Sequence, residues 1–221
     1  VELLLKTDAQ AARTLASQLN EENMERQLTE RGILEAAEAA LAEIEVEREK
    51  VVVLAGENWH SGVIGIVASR IVEKYYKPVI IIGIKDGVGK GSCRSIRGFH
   101  MYEALSACGH LLLGFGGHAQ AAGLSVLPEN IPLLREKLSE IAAAKLTAAD
   151  YVPVLNIEAS LPITAVEPQL IEELAALEPY GMGNPRPLFV CENTAVRSAE
   201  KMGREGAHLR LELVQGDSSA S

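Results

Sequence analysis

The residues best suited to bind an anion cluster between Lys85 and Arg97. This segment contains four basic residues, Lys85, Lys90, Arg94 and Arg97, and a single acidic one, Asp86. Ser92 and Arg94 are two residues apart, so in an extended chain they share a face on which a hydroxyl and a guanidinium can hold one anion. A solvated surface turn with incidental charges is the alternative interpretation of the same residues.

The glycines around Lys90 match no common phosphate-binding loop. The P-loop pattern fails because Lys90 is followed by Gly91 where Ser or Thr is required, and the dinucleotide pattern G-x-G-x-x-G is absent. Gly87, Gly89 and Gly91 therefore predict a flexible turn that delivers Ser92 and Arg94.

A second candidate is the segment Gly116-Gly117-His118. The following run, Ala119–Ala122, has the composition of a short helix. Glycines before a helix let backbone N–H groups approach a ligand, and the first helical turn favours an oxyanion. His118 could donate a hydrogen bond or a proton to a phosphate oxygen. A structural turn with an exposed histidine is the alternative.

The only tryptophan, Trp59, stands beside His60 at the start of a predicted helix. A tryptophan at such a place more often anchors a core or an interface than binds a ligand. Aromatic residues make up only 4% of the chain, which excludes an array of base-stacking platforms. Recognition of a single strand would then depend mainly on backbone contacts.

The sequence offers no metal or nucleophile motif. None of the five His residues forms H-x-x-x-H or H-E-x-x-H, and G-x-S-x-G is absent. The three Cys residues are widely spaced without C-x-x-C, which argues against a disulfide framework and a zinc site and for a reducing, cytoplasmic compartment. We expect no metal bound by this chain.

Composition and charge exclude several classes of protein. With 221 residues, 48% of them hydrophobic and 23% charged, the chain is neither disordered nor fibrous. The net charge of −9 is segregated, because the stretch Glu21–Glu49 holds ten Glu and only three Arg. The basic segment therefore predicts a local anion site, and the longest apolar run, Pro78–Ile84, is too short to span a membrane.

The pattern along the chain predicts an α/β fold in three parts. Asp8 to Arg48 predicts one or two long helices, broken near Asn20 or Gly32, that join two bodies. Strands then alternate with helices up to about residue 148. The predicted elements are strands at Val51–Ala55 and Val79–Ile84, a helix capped by Ser61, and helices at His100–Leu112 and Glu129–Lys145.

The last part is β-rich. Pro168–Leu177 predicts a short helix, and Leu188–Arg197 and His208–Val214 predict strands. Two strands do not form a stable sheet alone, so this unit either borrows a strand near Tyr151 or is incomplete. The small polar residues Gln215–Ser221 predict a frayed end.

The order of the motifs resembles the RecJ family of single-strand-specific DNA exonucleases, which are DHH phosphoesterases. The likeness lies in Glu57-Asn-Trp-His-Ser-Gly62-Val-Ile-Gly65-Ile-Val-Ala-Ser69-Arg70, Gly91-Ser-Cys-Arg94-Ser-Ile, Gly116-Gly-His-x-x-Ala-Ala-Gly123 and Pro179-Tyr-Gly-x-Gly-Asn-Pro185-x-Pro-Leu-Phe189. Leu19-Asn20-x-x-Asn23-x-x-Arg26-Gln27 is similar to that family's interdomain helix. The Gly-Gly-His element is shared with other DHH phosphoesterases.

This resemblance implies a two-lobed enzyme whose N-terminal lobe holds Mn²⁺ or Mg²⁺ through an Asp-His-His signature, which this sequence lacks. Residues 1–8 would then end that lobe, and residues 9–49 would be the connecting helix. Residues 50–148 would form the DHH-associated domain. Residues 151–221 would begin an OB-type barrel, which needs five strands.

The resemblance also implies roles for single residues. Ser92 and Arg94 would hold the 5′ end, Arg26 would face the substrate phosphates, and Gly116, Gly117 and the catalytic His118 would face the scissile phosphate. His60, Arg70 and Arg97 are further candidates, with a structural role as the alternative for the first two.

The function expected from the resemblance is gripping of single-stranded DNA for a 5′→3′ exonuclease of DNA repair and recombination. This part would be inactive without its own N-terminal DHH lobe, and a single-strand-binding protein or helicase would be a further partner. Two alternatives stay open. One is a DHH phosphodiesterase for short oligonucleotides or cyclic dinucleotides, and the other is a non-catalytic module whose acidic helix docks a protein.

Overall fold

Residues Ala9–Ala42 form one unbroken helix, α2, in the computed structural model, which describes residues 1–203, 206–216 and 218–220. A short helix, α1 (Glu2–Leu5), precedes it, and the Asp8 side chain caps α2 by accepting a hydrogen bond from the Ala11 N–H at 2.7 Å. The predicted break near Asn20 or Gly32 is wrong. A helical glycine costs only about 1 kcal/mol, and strong helix formers surround Gly32.

A mixed five-stranded sheet forms the centre of the first compact unit, Val1–Pro153, in the order β1-β2-β3-β5-β4. β1 and β2 are parallel and the other pairs are antiparallel. The strands are β1 (Val52–Glu57), β2 (Val79–Lys85), β3 (Val88–Arg94), β4 (Leu112–Gly117) and β5 (Ala121–Val126). The helices are α3 (Ile64–Tyr75), α4 (Met101–Ala107) and α5 (Ile131–Lys145). The predicted mixed α/β class is confirmed.

Each face of the sheet packs against different helices. Ile80 and Ile82 of β2 lie in a core cluster with residues of α4 and α5. Val79 and Ile81 point the other way, into a cluster with α3. Ile33, Ala37 and Leu41 of α2 are buried in that second cluster. The C-terminal part of the long helix therefore belongs to the core of this unit.

Three local predictions in this unit are wrong. Helix α3 begins at Ile64 without a side-chain cap, so Ser61 is not its cap. The predicted helix His100–Leu112 ends at Ala107, and a 3₁₀ turn, Gly109–Leu111, leads into β4. Ala119–Ala122 is not helical, because Ala121 and Ala122 pair with β3 and Ala122 pairs with β4 as well. Pairing between distant strands overrides the local preference of alanine for a helix.

The second compact unit, from Val154 onward, is mainly β-structure. It contains α6 (Pro168–Ala175), the short parallel pair β6 (Ala159–Ser160) and β7 (Phe189–Val190), and an antiparallel sheet of β8 (Ala195–Met202), β9 (His208–Gln215) and β10 (Ser218–Ala220). The described strands do not close into a barrel, in agreement with the predicted partial OB-type fold.

The predicted frayed end is wrong for Ser218–Ala220, which pair with β9, whereas Asp217 and Ser221 lie outside the described residues. The third strand of this sheet is β10, and the sheet borrows no strand near Tyr151. Of the helices in the part of the chain that the structure describes, none is long and apolar enough to cross a membrane.

Candidate functional site

Strand β3 positions Ser92 and Arg94 on the sheet face that α3 covers. Cys93 lies between them, pairs with Ile80 and points into the core on the opposite face, where burial raises the pKa of its thiol to about 12. Strand alternation therefore turns the two flanking side chains toward α3. The structure brings these two residues to one face, as the spacing predicts.

The Arg94 guanidinium is half-buried and held by neutral groups. Its Nε donates to the Ser69 Oγ at 3.1 Å, and its Nη1 donates to the Cys93 carbonyl at 2.8 Å and the Ser92 Oγ at 3.3 Å. Among the described residues, no carboxylate lies within 4.0 Å of Arg94. Its positive charge is therefore fixed in place and available to an anion.

A glycine of α3 allows this close packing. A Cβ on Gly65 would lie 3.0 Å from the Ser92 Oγ and 3.1 Å from the Arg94 Nη2. Ser69, one turn later, donates from its Oγ to the Gly65 carbonyl at 3.1 Å. Gly65 and Ser69 thus bring the helix backbone and a hydroxyl acceptor up to the arginine.

The Gly-Gly-His element lies across one strand from Ser92 and Arg94. Ser92 pairs with Gly123 of β5, which pairs in turn with Gly116 of β4. Arg94 pairs with Ala121, whose carbonyl accepts the His118 N–H at 2.8 Å. Ser92 and Gly116 are therefore two strand spacings apart, which is about 9 to 10 Å. Arg94 and His118 are separated by a similar distance. The two motifs therefore lie side by side on one sheet.

Glycines leave the backbone of β4 and β5 accessible on this part of the sheet. A Cβ at Gly114 or Gly116 would meet no atom within 4 Å, and one at Gly123 would meet only the Gly91 carbonyl, at 3.7 Å. An open groove of about 440 Å³ runs over this surface. Its lining residues are Ser61, Ile64, Lys90, Gly91, Ser92, Gly114, Phe115, Gly123, Leu124 and Ser125. Arg94, Gly116, Gly117 and His118 lie outside that lining.

His118 occupies a β-hairpin turn, so the helix start predicted directly after it is wrong. Its Nδ1 accepts a hydrogen bond from the Gln120 N–H at 3.3 Å, and its side chain is exposed. Gly117 precedes it with φ +143, and a Cβ there would lie 2.5 Å from the Ala121 carbonyl oxygen. Only glycine fits this position, which gives the Gly-Gly-His pattern a structural cause.

Arg26 and Arg70 share a buried carboxylate. Glu30 is 4% exposed, and its two oxygens accept from the Arg26 Nη1 at 2.8 Å and the Arg70 Nη2 at 2.6 Å. Arg26 donates as well to the Asn23 Oδ1. A buried carboxylate needs such partners, so this triad joins α2 to α3 and retains one net positive charge.

His60 and Arg97 differ in their surroundings. His60 accepts the Gly62 N–H on its Nδ1 at 3.1 Å, and its carbonyl accepts the Val63 N–H at 3.0 Å, so it shapes the start of α3. Together with Arg26 it lines a cavity of about 400 Å³. Arg97 is exposed in the loop after β3 and lines neither this cavity nor the groove at Ser92.

Among the described residues, no group of three or more His, Cys, Asp or Glu side chains is placed to hold a metal ion. The described residues therefore do not fit the Mn²⁺ or Mg²⁺, which the family resemblance assigns to the N-terminal lobe.

Several residues of this surface escaped the sequence analysis. Gly65, Ser69 and Gly123 lie inside the quoted motifs, and the spacing of Gly65 and Ser69 by one helical turn could have indicated a close approach of the helix. The sequence does not single out Glu30 as a functional or structural residue, because it is one of ten glutamates in the stretch Glu21–Glu49.

Comparison with known proteins identifies the domains of this chain. Residues 48–144 match the DHHA1 domain and residues 157–221 match the RecJ OB domain. The single-stranded-DNA-specific exonuclease RecJ of Bacillus subtilis is 36% identical over 217 residues, which cover 96% of this chain and 27% of that protein. The chain belongs to the RecJ family. The resemblance found from the motifs is confirmed.

Solved RecJ structures share the fold as well. RecJ of Thermus thermophilus in complex with Mn²⁺ matches with a TM-score of 0.82 and 35% identity, over 99% of this chain and 31% of that one. The same protein in complex with Mg²⁺ matches with a TM-score of 0.80, also at 35% identity, over 99% of this chain and 33% of that one. This RecJ family chain spans about a third of the length of these relatives.

Proposed function

We propose that this chain grips the substrate of a single-strand-specific 5′→3′ DNA exonuclease. It would hold the DNA backbone and the 5′ phosphate opposite a metal-bearing lobe. The observation that carries the proposal is the half-buried Arg94, which has no carboxylate partner within 4.0 Å among the described residues and borders an open glycine surface. Family membership supports the same proposal.

In this proposal each group binds a different part of the strand. Arg94 and the Ser92 hydroxyl hold the 5′ phosphate through charge-assisted hydrogen bonds. The glycines Gly116 and Gly117 let the scissile phosphate approach the backbone, and His118, whose Nδ1 accepts the Gln120 N–H, donates from its Nε2 to a phosphate oxygen. Arg26 holds a phosphate further along, and His60, Arg70 and Arg97 are secondary contacts.

Hydrolysis is assigned to residues outside this chain. Because the described residues offer no metal site, we derive no catalytic step from them and expect the chain alone to be inactive. Residues 1–8 would end the DHH lobe, residues 9–49 would connect the lobes, and residues 50–148 and 151–221 would be the DHH-associated and partial OB domains.

The biological setting is part of the proposal. Single-stranded DNA and the N-terminal DHH lobe are the proposed partners, a single-strand-binding protein or helicase is a further one, and the proposed place is DNA repair and recombination in the cytoplasm. The match of residues 157–221 to the RecJ OB domain favours this function over a phosphodiesterase for cyclic dinucleotides, which gives no role to that segment.

Fluorescence anisotropy with single-stranded DNA tests the grip. Arg94→Ala should weaken binding of a 5′-phosphorylated strand by about 1 to 3 kcal/mol, roughly 5- to 150-fold, since a charged partner is lost. Lys137→Ala, on α5 at the opposite sheet face, removes the same charge and should leave the affinity unchanged. Unchanged affinity in a folded Arg94→Ala protein contradicts the proposal.

Incubation with Mn²⁺ and 5′-phosphorylated single-stranded DNA tests whether hydrolysis needs residues outside this chain. We expect the pure chain to release no mononucleotides. Metal-dependent release that rises in proportion to the chain's concentration would show that this part carries its own catalytic centre.

A further inference from the structure

Asn23 lies one turn before Arg26 on α2 and has no role of its own in the function proposed above. Its side-chain Oδ1 accepts two hydrogen bonds from the Arg26 guanidinium, from Nη2 at 3.0 Å and from Nε at 3.2 Å. Residues three apart are neighbours on a helix surface, so α2 itself brings the two side chains together. A single amide oxygen thus holds one edge of the guanidinium.

Glu30 holds the same guanidinium from the next turn of α2. It is buried, and its Oε2 accepts from the Arg26 Nη1 at 2.8 Å. A guanidinium has five N–H donors, and the contacts with Asn23 and Glu30 use three of them. Arg26 is therefore fixed by its own helix and keeps two N–H donors for a phosphate, which arginine commonly binds through two parallel hydrogen bonds.

The charge of this group depends on the neutrality of Asn23. Glu30 carries one negative charge and is shared by Arg26 and Arg70, so these three side chains sum to one positive charge. An aspartate at position 23 could accept the same two hydrogen bonds but would bring that sum to zero. The amide thus holds Arg26 without cancelling its charge.

The surroundings of Arg26 make this single charge important. Arg26 and His60 line a cavity of about 400 Å³ together with Glu22 and Glu25. Among the described residues, neither of these two glutamates forms an ion pair within 4.0 Å. Because two carboxylates already lower the potential at the cavity, a third one beside Arg26 would turn the site against a phosphate.

We infer that Asn23 is a positioning residue that presents Arg26 to a phosphate of the bound strand and leaves its charge unneutralised. The inference rests on the proposed function, in which Arg26 holds such a phosphate. Arg94 is held in the same way, because its Nε donates to the neutral Ser69 Oγ. Both arginines of the proposed grip thus have an uncharged acceptor at Nε.

A purely structural role of Asn23 predicts the opposite effect of a charged replacement. A carboxylate accepts stronger hydrogen bonds from a guanidinium than an amide does, and an ion pair three residues apart stabilises a helix. Asn23→Asp should then hold Arg26 at least as well as the wild type. Only a role toward an anion makes the same replacement harmful.

The test is fluorescence anisotropy of the full chain with 5′-phosphorylated single-stranded DNA at several salt concentrations. Asn23→Asp should weaken binding about tenfold and reduce the slope of log affinity against log salt concentration by about 0.7, since one phosphate contact is lost. The free energy of unfolding in a denaturant titration should not fall, which separates this loss from unfolding.

Asn20→Asp is the matched control, because it places the same charge one turn earlier on α2. The Asn20 amide contacts the Met24 Sδ and not Arg26. Position 20 lies roughly 9 Å from position 26 along the helix axis, about one Debye length at physiological ionic strength, so the change in affinity should stay within about twofold. In an Arg26→Ala background, Asn23→Asp should have no larger effect than Asn20→Asp.

Two results would overturn the inference: an affinity of Asn23→Asp equal to or above that of the wild type, or a loss that persists in the Arg26→Ala background. Failure of the proposed function is distinguishable, since Arg94→Ala and Arg26→Ala would then both leave the affinity unchanged. Failure of the inference alone leaves the effects of those two variants intact and removes only the effect of Asn23→Asp.

Discussion

Arg94 is positioned by a helix that contributes no charge to it. The Ser69 Oγ accepts from its Nε, and Gly65 leaves room for its Nη2, so the guanidinium is oriented by α3 while its charge stays unneutralised. A carboxylate at the place of Ser69 would fix the arginine equally well but would compete with a phosphate. The choice of a neutral acceptor therefore agrees with anion binding.

At the residue scale, Ser69→Ala should reduce the affinity for 5′-phosphorylated single-stranded DNA about fivefold, or about 1 kcal/mol, because the hydroxyl that accepts from the Arg94 Nε and orients the guanidinium is lost. Ser106→Ala is the matched control, because Ser106 makes the same bond to the carbonyl four residues earlier in α4. Anisotropy with 5′-phosphate and 5′-hydroxyl strands measures the effect. A loss that is equal for the two strands would contradict a positioning role toward the 5′ phosphate.

At the element scale, glycine has different surroundings in the long helix α2 and in helix α3. Gly32 in α2 is exposed, and a Cβ there meets no atom within 4 Å. Gly32→Ala should therefore raise the free energy of unfolding by about 0.5 to 1 kcal/mol in a denaturant titration. Gly65→Ala should give no such gain, because its methyl group meets Ser92 and Arg94. A loss of stability in Gly32→Ala would contradict an unbroken α2.

Lys77 connects β2 to the segment after α2 and makes stability depend on pH. It is buried, its Nζ donates to the carbonyls of Glu49 at 2.6 Å and Glu47 at 3.2 Å, and burial lowers its pKa, with a smaller contribution from Lys50. Between that lowered pKa and 10.5 the unfolded state binds more protons, so the free energy of unfolding rises with pH.

Denaturant titrations of the wild type and Lys77→Met from neutral pH to pH 10.5 isolate this contribution. The difference in free energy of unfolding between them should shift in favour of the wild type as the pH rises. A difference that stays constant across this range would show that Lys77 has an ordinary pKa in the folded protein.

Most elements were predictable from local pattern, and the error at Ala119–Ala122 occurs where pairing between distant strands decides. The apolar run Val79–Ile84 predicts a buried strand, and β2 is that strand. Ala119–Ala122 looks helical by composition, and only pairing with β3 makes part of it β5. The spacing of Ser92 and Arg94 predicted that their side chains share one face of a strand. The ion pair between Glu30 and Arg70 joins two helices, so no local sequence pattern predicts it.

At the scale of the whole molecule, the net charge of −9 gives no indication of the proposed interface, which is a local basic region. Ten of the thirty acidic residues lie within Glu21–Glu49, on α2 and the segment that follows it, while the basic groups near β3 form a small positive region. An interface with about three phosphate contacts predicts a slope near −2 for log affinity against log salt concentration, from about −0.7 per contact for single strands.

Anisotropy titrations with single-stranded DNA over a range of salt concentrations measure this slope. Arg94→Ala should reduce its size by about 0.7, because one phosphate contact is lost. A slope near zero would contradict an electrostatic grip, and a much steeper one would require a far larger basic surface than β3 and its neighbours provide.

The central claim is that Ser92, Arg94 and the Gly-Gly-His hairpin form one surface for the phosphate end of a strand. Amide NMR spectra of the ¹⁵N-labelled chain, recorded with matched 5′-phosphate and 5′-hydroxyl dinucleotides, test it most directly. The account predicts that the amides of Ser92, Gly116 and Gly123 shift together and more strongly with the 5′-phosphate. Shifts at only one of the two motifs, or equal shifts with both dinucleotides, would contradict it.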